Sequence, residues 1–198
     1  MIVAGEKSDL RWGAGSWIIL DIGFANDKRT CGVAFDDEPP TNLTYGEAWE
    51  AIINQIRKQN CLVNLVIEAP LSVCFDAHGN PKGRKIEKQD AKTRYRYNGL
   101  GCAVMTAAMY LIRDIHEAIK GSPMIEVRLF EGFVTFKGSD TDHKKDVLDL
   151  REKVKNSGQY RDSIYGSGEL KICETDLLCR AFSFAGLDCG VPAAIVVA

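Results

Sequence analysis

The sequence lacks most of the features that assign a chemistry at a glance. Its seven cysteines include no C-x-x-C pair, and none has an evident partner histidine. A structural zinc site or a cysteine nucleophile is therefore not indicated. Scattered as they are, Cys31, Cys61, Cys74, Cys102, Cys173, Cys179 and Cys189 read as reduced, mostly buried thiols of an intracellular protein. There is no G-x-x-x-x-G-K-[ST], and no G-x-G-x-x-G follows the first strand-like run, which speaks against P-loop kinases and dinucleotide oxidoreductases. The serine-hydrolase pattern G-x-S-x-G is also missing. No apolar run approaches the ~20 residues of a membrane span. The start, MIVAGEKSDLRWGAG, lacks the layout of a secretory signal. A cytoplasmic protein without membrane contact is expected. Excess charge of one sign is absent as well: the net charge is −2, so any pull toward a polyanion has to be local.

What is present begins with Trp17 to Phe35, WIILDIGFANDKRTCGVAF. Ile18, Ile19 and Leu20 run without a polar break, as in a strand buried on both faces. Asn26-Asp27 supply turn chemistry, and Arg29 to Phe35 return as an antiparallel partner. Asp21 interrupts the most apolar strand, where a lone carboxylate is costly to bury. A divalent metal would compensate it.

Along the chain, residues 1–15 read as a polar lead-in and residues 16–198 as one domain. Pro39-Pro40 mark a connection, with a short edge strand near Leu43. Tyr45 to Asn60 reads as a helix with Ala48, Ile52, Ile53 and Ile56 on one face. Leu62 to Ala69 is a second central strand, closed by Pro70. Leu71 to Tyr97 is irregular and long enough to suggest a functional loop. A helix over Gly101–Ile119, a strand over Ile125–Phe133 and a helix from His143 to about Lys155, capped from Asp140-Thr141-Asp142, follow. Beyond a loop over Asn156–Gly168, Leu170 to Leu187 reads as a last helix and Ala193 to Val197 as a closing strand. Strands separated by helices imply parallel neighbours in an α/β sandwich, and the leading hairpin makes the sheet mixed.

Two acids, Asp21 and Glu68, terminate the two most apolar strands. As parallel neighbours those strands lie about 4.8 Å apart, close enough for both carboxylates to reach one ion. Asp176 opens the apolar run DLLCRAFSFAG and is the third candidate ligand. Three oxygen ligands suit Mg²⁺ or Mn²⁺ better than zinc. Glu131, ending its strand, is a candidate fourth ligand, and His143 a candidate catalytic group. Each also has a structural reading: Asp21 as a partner of Lys28 or Arg29, Asp176 as a first-turn helix acid.

The stretches LDIGFANDKRTCGVAF, LVIEAPLSV, EVRLFEGFVTFK with HKKDVLDLREKV, and ETDLLCRAFSFAGLDCGVPAAIVVA resemble, in order and spacing, the ribonuclease H-like superfamily. Within it they are most similar to a group of small predicted nucleases related to Holliday-junction resolvases. The resemblance implies a mixed five-stranded sheet in the order 3-2-1-4-5 with helices on both faces. It implies two-metal hydrolysis of a phosphodiester at acids matching Asp21, Glu68 and Asp176. His143 and Asp146, in H-K-K-D, are the alternative source of the late acid, as in the resolvases. Asp176 is preferred because Asp146, among Lys144, Lys145 and Asp149, reads as solvated. Related resolvases act as dimers, and the helix over Gly101–Ile119 is the candidate for a homodimer interface.

Lys82 to Arg96 contains Lys82, Arg84, Lys85, Lys88, Lys92, Arg94 and Arg96 against only Glu87 and Asp90. Tyr95 and Tyr97 sit beside the arginines. Basic groups with interleaved aromatics suit phosphate contact and base stacking, so Arg84, Lys85, Lys88, Lys92, Arg94, Tyr95 and Arg96 are candidate nucleic-acid ligands. Two other readings compete with a nuclease. One is an actin-like nucleotide-binding ATPase, which shares a strand-borne D-I-G but needs a second D-x-G hairpin that is missing. The other is a non-catalytic nucleic-acid- or protein-binding module on the same fold.

Overall fold

Alternation along the central strands sorts their side chains onto two faces, and helices cover both. A computed structural model of the chain describes residues 1–24, 28–59, 61–89, 92–93, 99–134 and 142–197. In chain order the first elements are β1 (Ile2–Ala4), β2 (Ser16–Asp21), β3 (Cys31–Phe35), β4 (Thr41–Leu43), α1 (Tyr45–Lys58) and β5 (Leu62–Glu68). Short strands follow: β6 (Ser72–Phe75), β7 (Pro81–Lys82), β8 (Lys88–Gln89) and β9 (Lys92–Thr93). The remainder is α2 (Leu100–Ile119), β10 (Glu126–Val134), α3 (His143–Lys155), β11 (Ile164–Tyr165), β12 (Leu177–Arg180) and β13 (Ala194–Val197).

The main sheet runs β11-β13-β10-β5-β2-β3-β4. Strands β2, β5, β10 and β13 are parallel neighbours, while β3 and β4 fold back as antiparallel hairpins. It is wider than the five strands expected. The reason is the length of β10, whose free edge is shared by two partners. Its first half pairs with β1, from Ile2↔Val127 to Ala4↔Leu129, and its second with β13, from Glu131↔Ala194 to Val134↔Val197.

On one face Ile18, Leu20, Val33, Leu65, Ile67, Val127 and Leu129 pack against Ile52 and Ile56 of α1 and Leu111, Ile112 and Ile115 of α2. On the other, Trp17, Ile19, Ala34, Val66 and Phe130 pack against Val147, Leu150 and Val154 of α3. Helix α1 starts at a capping box, in which Glu47 N–H donates to Thr44 Oγ1 at 3.2 Å and Thr44 N–H to Glu47 Oε2 at 2.9 Å. The stripe Ala48, Ile52, Ile53 and Ile56 is buried as its periodicity predicts.

Three expectations need correction. The polar lead-in is anchored: it supplies β1, buries Leu10, and stacks Trp12 on Trp17 with ring centroids 5.5 Å apart. The stretch after Pro70 carries regular structure, with β6 between β7 and β12 in a small antiparallel sheet. No long helix spans Leu170–Leu187. Leu177–Arg180 form β12, paired with Ser72–Phe75, between short 3-10 turns at Ser167–Leu170 and Ala181–Ala185. The apolar run has helical content, but long-range pairing with β6 overrides that local preference.

Candidate metal centre

Asp21 is the last residue of β2, and its register partner on β5 is Glu68, the last residue of that strand. Both carboxylates are buried at the carboxyl edge of the sheet. That edge is where open α/β sheets form their ligand crevices. Asp21 alternates with Trp17 and Ile19 and so lies on the face that α3 covers.

Helix α3 completes the group. Its N-cap is Asp142, whose side chain accepts the Lys144 N–H at 3.0 Å. His143 follows, with Nδ1 2.8 Å from Asp21 Oδ2. Asp146 lies one turn further on and is only 4% exposed. Asp21, His143 and Asp146 each present a ligand atom, and these atoms all lie within 4.8 Å of one another. That group can hold a metal ion. The 2.8 Å between His143 Nδ1 and Asp21 Oδ2 is a hydrogen-bond distance, so the carboxylate orients the imidazole.

Glycines bring the helix this close. A Cβ on Gly32 of β3 would stand 2.4 Å from the His143 carbonyl oxygen, and one on Gly23 would stand 2.8 Å from the His143 ring. On β10, a Cβ at Gly132 would meet Leu150 of α3 at 2.9 Å. The contact of Gly32 with the His143 backbone is closer than a side chain tolerates, so the first turn of α3 sits directly on the hairpin. Cys31 lies beneath it and donates its Sγ–H to the Gly23 carbonyl at 3.4 Å. Burial pushes that thiol's pKa up, and the neighbouring Asp21 adds to the effect.

The other predicted residues divide. Glu68 stands beside Asp21 in register, and its Oε1 accepts the Val134 N–H at 3.3 Å. Asp176 is engaged elsewhere, in the small sheet: Lys82 Nζ donates to its Oδ1 at 2.7 Å, and the Ile172 and Cys173 N–H groups donate to its Oδ2. The Lys82 hydrogen bond holds the Asp176 carboxyl below the usual carboxylate range. The preference for Asp176 over Asp146 is thus not what the geometry favours, because Asp146 is the late acid that meets Asp21. Glu131 is an ion-pair partner: Arg84 Nη1 donates to its Oε2 at 2.7 Å, and both side chains are inaccessible. That pairing also removes Arg84 from the candidate nucleic-acid ligands, since its guanidinium is buried. Lys85 and Lys88 are exposed. Lys92 belongs to β9, and its side chain, with Arg94, Tyr95 and Arg96, lies outside the described residues.

A signal for Asp146 was present in the sequence. Residues 143, 146, 147, 150 and 154 recur at helical spacing, so Asp146 shares the buried stripe of Val147, Leu150 and Val154, while Lys144 and Lys145 point elsewhere. Among the described residues no helix is long and apolar enough to cross a membrane. Compared with protein-family models, curated proteins and solved structures, the chain matches none.

Proposed function

We propose that this protein is a metal-dependent nuclease or nuclease-like phosphodiesterase of the ribonuclease H-like kind. The observation that carries the reading is the meeting of Asp21, His143 and Asp146 at the carboxyl edge of the sheet, with Glu68 in register beside Asp21. Strand order supports it too: counted from β2, the run β4-β3-β2-β5-β10 reads 3-2-1-4-5.

Asp21, Asp146 and His143 would hold Mg²⁺ or Mn²⁺, with Glu68 as a further carboxylate. When bound, the ion supplies Lewis acidity toward a phosphoryl oxygen and lowers the pKa of water. The chain's own part is orientation. Asp21 fixes the imidazole plane through Nδ1, and α3 sets the spacing of His143 from Asp146. Phosphate recognition falls to exposed Lys85 and Lys88. They lie either side of Ile86 and Glu87, and Ile86 shares a buried cluster with Phe133 of β10. Cations there offset the repulsion between an acidic site and a polyanionic substrate.

The test is cleavage of a panel of DNA and RNA substrates with Mg²⁺ or Mn²⁺, comparing wild type with Asp21→Asn and Asp146→Asn. Each substitution should lower the rate roughly a thousandfold, the several kcal/mol that a metal site supplies. Cleavage by either variant at the wild-type rate would remove that acid from the mechanism. A wild-type protein inactive on every substrate would sink the reading.

A further inference from the structure

Beyond the candidate metal group, the charges most completely removed from solvent among the described residues are Arg84, Glu87 and Glu131, all at 0% exposure. Arg84 Nε and Nη2 reach Glu87 Oε1 at 3.3 and 3.1 Å, and Glu87 Oε2 accepts the Arg84 N–H at 2.8 Å. Arg84 Nη1 donates both to Glu131 Oε2, at 2.7 Å, and to Ser72 Oγ, at 2.8 Å. Glu131 Oε2 accepts a second bond, from the Leu71 N–H at 2.9 Å. Glu131 Oε1 is buried without a hydrogen-bond partner among the described residues.

Leu71 and Ser72 belong to the stretch of chain that leaves β5 directly after Glu68. The pairing of β5 with β10 stops at Glu68↔Gly132. Ala69 N–H turns back onto the Ile67 carbonyl at 2.9 Å, and Pro70 has no N–H to offer. Leu71 therefore carries the next backbone donor, beyond the last rung of the ladder, and the Glu131 carboxylate takes it. The Leu71 carbonyl is fixed from the other side, by the Ala181 N–H at 2.9 Å. The exit from β5 is held at three points within four residues of Glu68.

We propose that Glu131 is a positioning residue for Glu68: its Oε2, itself anchored by Arg84, clamps the turn after β5 and so sets where the Glu68 carboxylate stands beside Asp21. This inference rests on the metal reading above. It explains why an acid next to Gly132, the register partner of Glu68, is spent on a backbone amide and an arginine. Without that acceptor, the Leu71 N–H and the Arg84 guanidinium are both left buried and short of a partner, and the chain has to re-route.

A double-mutant cycle on Mn²⁺ affinity tests it, by calorimetric titration of the full chain with folding checked by circular dichroism. Glu131→Ala should weaken Mn²⁺ binding roughly ten- to hundredfold, as loss of an outer-shell partner does. Glu131→Gln keeps an oxygen for the Leu71 N–H and should recover most of that loss. In a Glu68→Gln background the effect of Glu131→Ala should vanish, since it acts through Glu68. Should Glu131→Ala not fold, Glu131→Asp carries the cycle: it keeps the charge but withdraws the oxygen, and a several-fold loss confined to the Glu68 background is expected. Wild-type affinity in Glu131→Ala or Glu131→Asp, or a loss that persists undiminished with Glu68→Gln, overturns the assignment. A wild-type protein that takes up no Mn²⁺ overturns the metal reading and this inference with it.

Discussion

Asp21 and Glu131 invite comparison. Each lies in the carboxyl-terminal half of a central strand, and each is almost wholly removed from solvent. They differ in what faces them. Glu131 meets a guanidinium at 2.7 Å and a backbone amide at 2.9 Å, so its charge is neutralised within the fold. Asp21 meets an imidazole at 2.8 Å with a second carboxylate, Asp146, in the same group. Carboxylates gathered with an imidazole offer lone pairs that a metal ion can accept. Burial of an acid therefore does not by itself mark a candidate ligand. Its company decides, and Asp176, paired with Lys82, falls on the side of Glu131.

The largest test of that contrast removes the cation from the neutralised cluster. Burial disfavours the charge on Arg84, yet Glu131 and Glu87 together hold its pKa above the ordinary value. Burial likewise pushes Glu87 up, against the pull of Arg84. Arg84→Met strands two buried carboxylates and should cost about 3–5 kcal/mol in urea unfolding. A loss below about 1 kcal/mol would mean the cluster is not held by its ion pairs.

Next in size is the seat of α3. Gly32→Ala forces a methyl group against the His143 backbone and should cost about 1–3 kcal/mol, with weaker Mn²⁺ uptake because His143 is displaced. Gly46 in α1 has open space around it, and Gly46→Ala should instead add about 0.5–1 kcal/mol and leave metal uptake alone. Equal effects at the two glycines would erase the distinction between the site and the rest of the fold.

The smallest effect is a pH dependence. Lys82 lowers the Asp176 pKa beneath its ordinary value of 3.8. The charged form is thus favoured by folding, and its contribution is present above that value and lost as pH falls through the lowered one. Asp176→Asn should therefore be less stable than wild type at pH 7, with the gap closing below about pH 4 in acid denaturation curves. Its Mn²⁺ affinity should equal the wild type's. A loss of metal binding in this variant would return Asp176 to the site and break the comparison.

Much of this architecture was legible without coordinates. The unbroken apolar run Ile18–Leu20 and the strand over Leu62–Glu68 announced the centre of the sheet, and the stripe of α1 announced a covered face. Asp21 and Glu68 stood out because each ends such a run, and the structure sets them side by side in register. Other features were not legible. Leu177–Arg180 depends on pairing with Ser72–Phe75, about a hundred residues away in the chain, which no local period encodes. The lead-in looked loose because β1 is three residues long and takes its order from β10.

By itself, then, the sequence determined the apolar periods, and with them which segments become strands or helices and which side of each turns inward. It also determined that several acids stand at strand ends. Only the tertiary structure decided which acid meets what. Arg84 reaches Glu131, Lys82 reaches Asp176, and the glycines at 23 and 32 let His143 and Asp146 close on Asp21. The physical reason is range: periodicity acts over a few residues, whereas the partner of a buried charge is chosen by sheet register and helix approach across the whole fold.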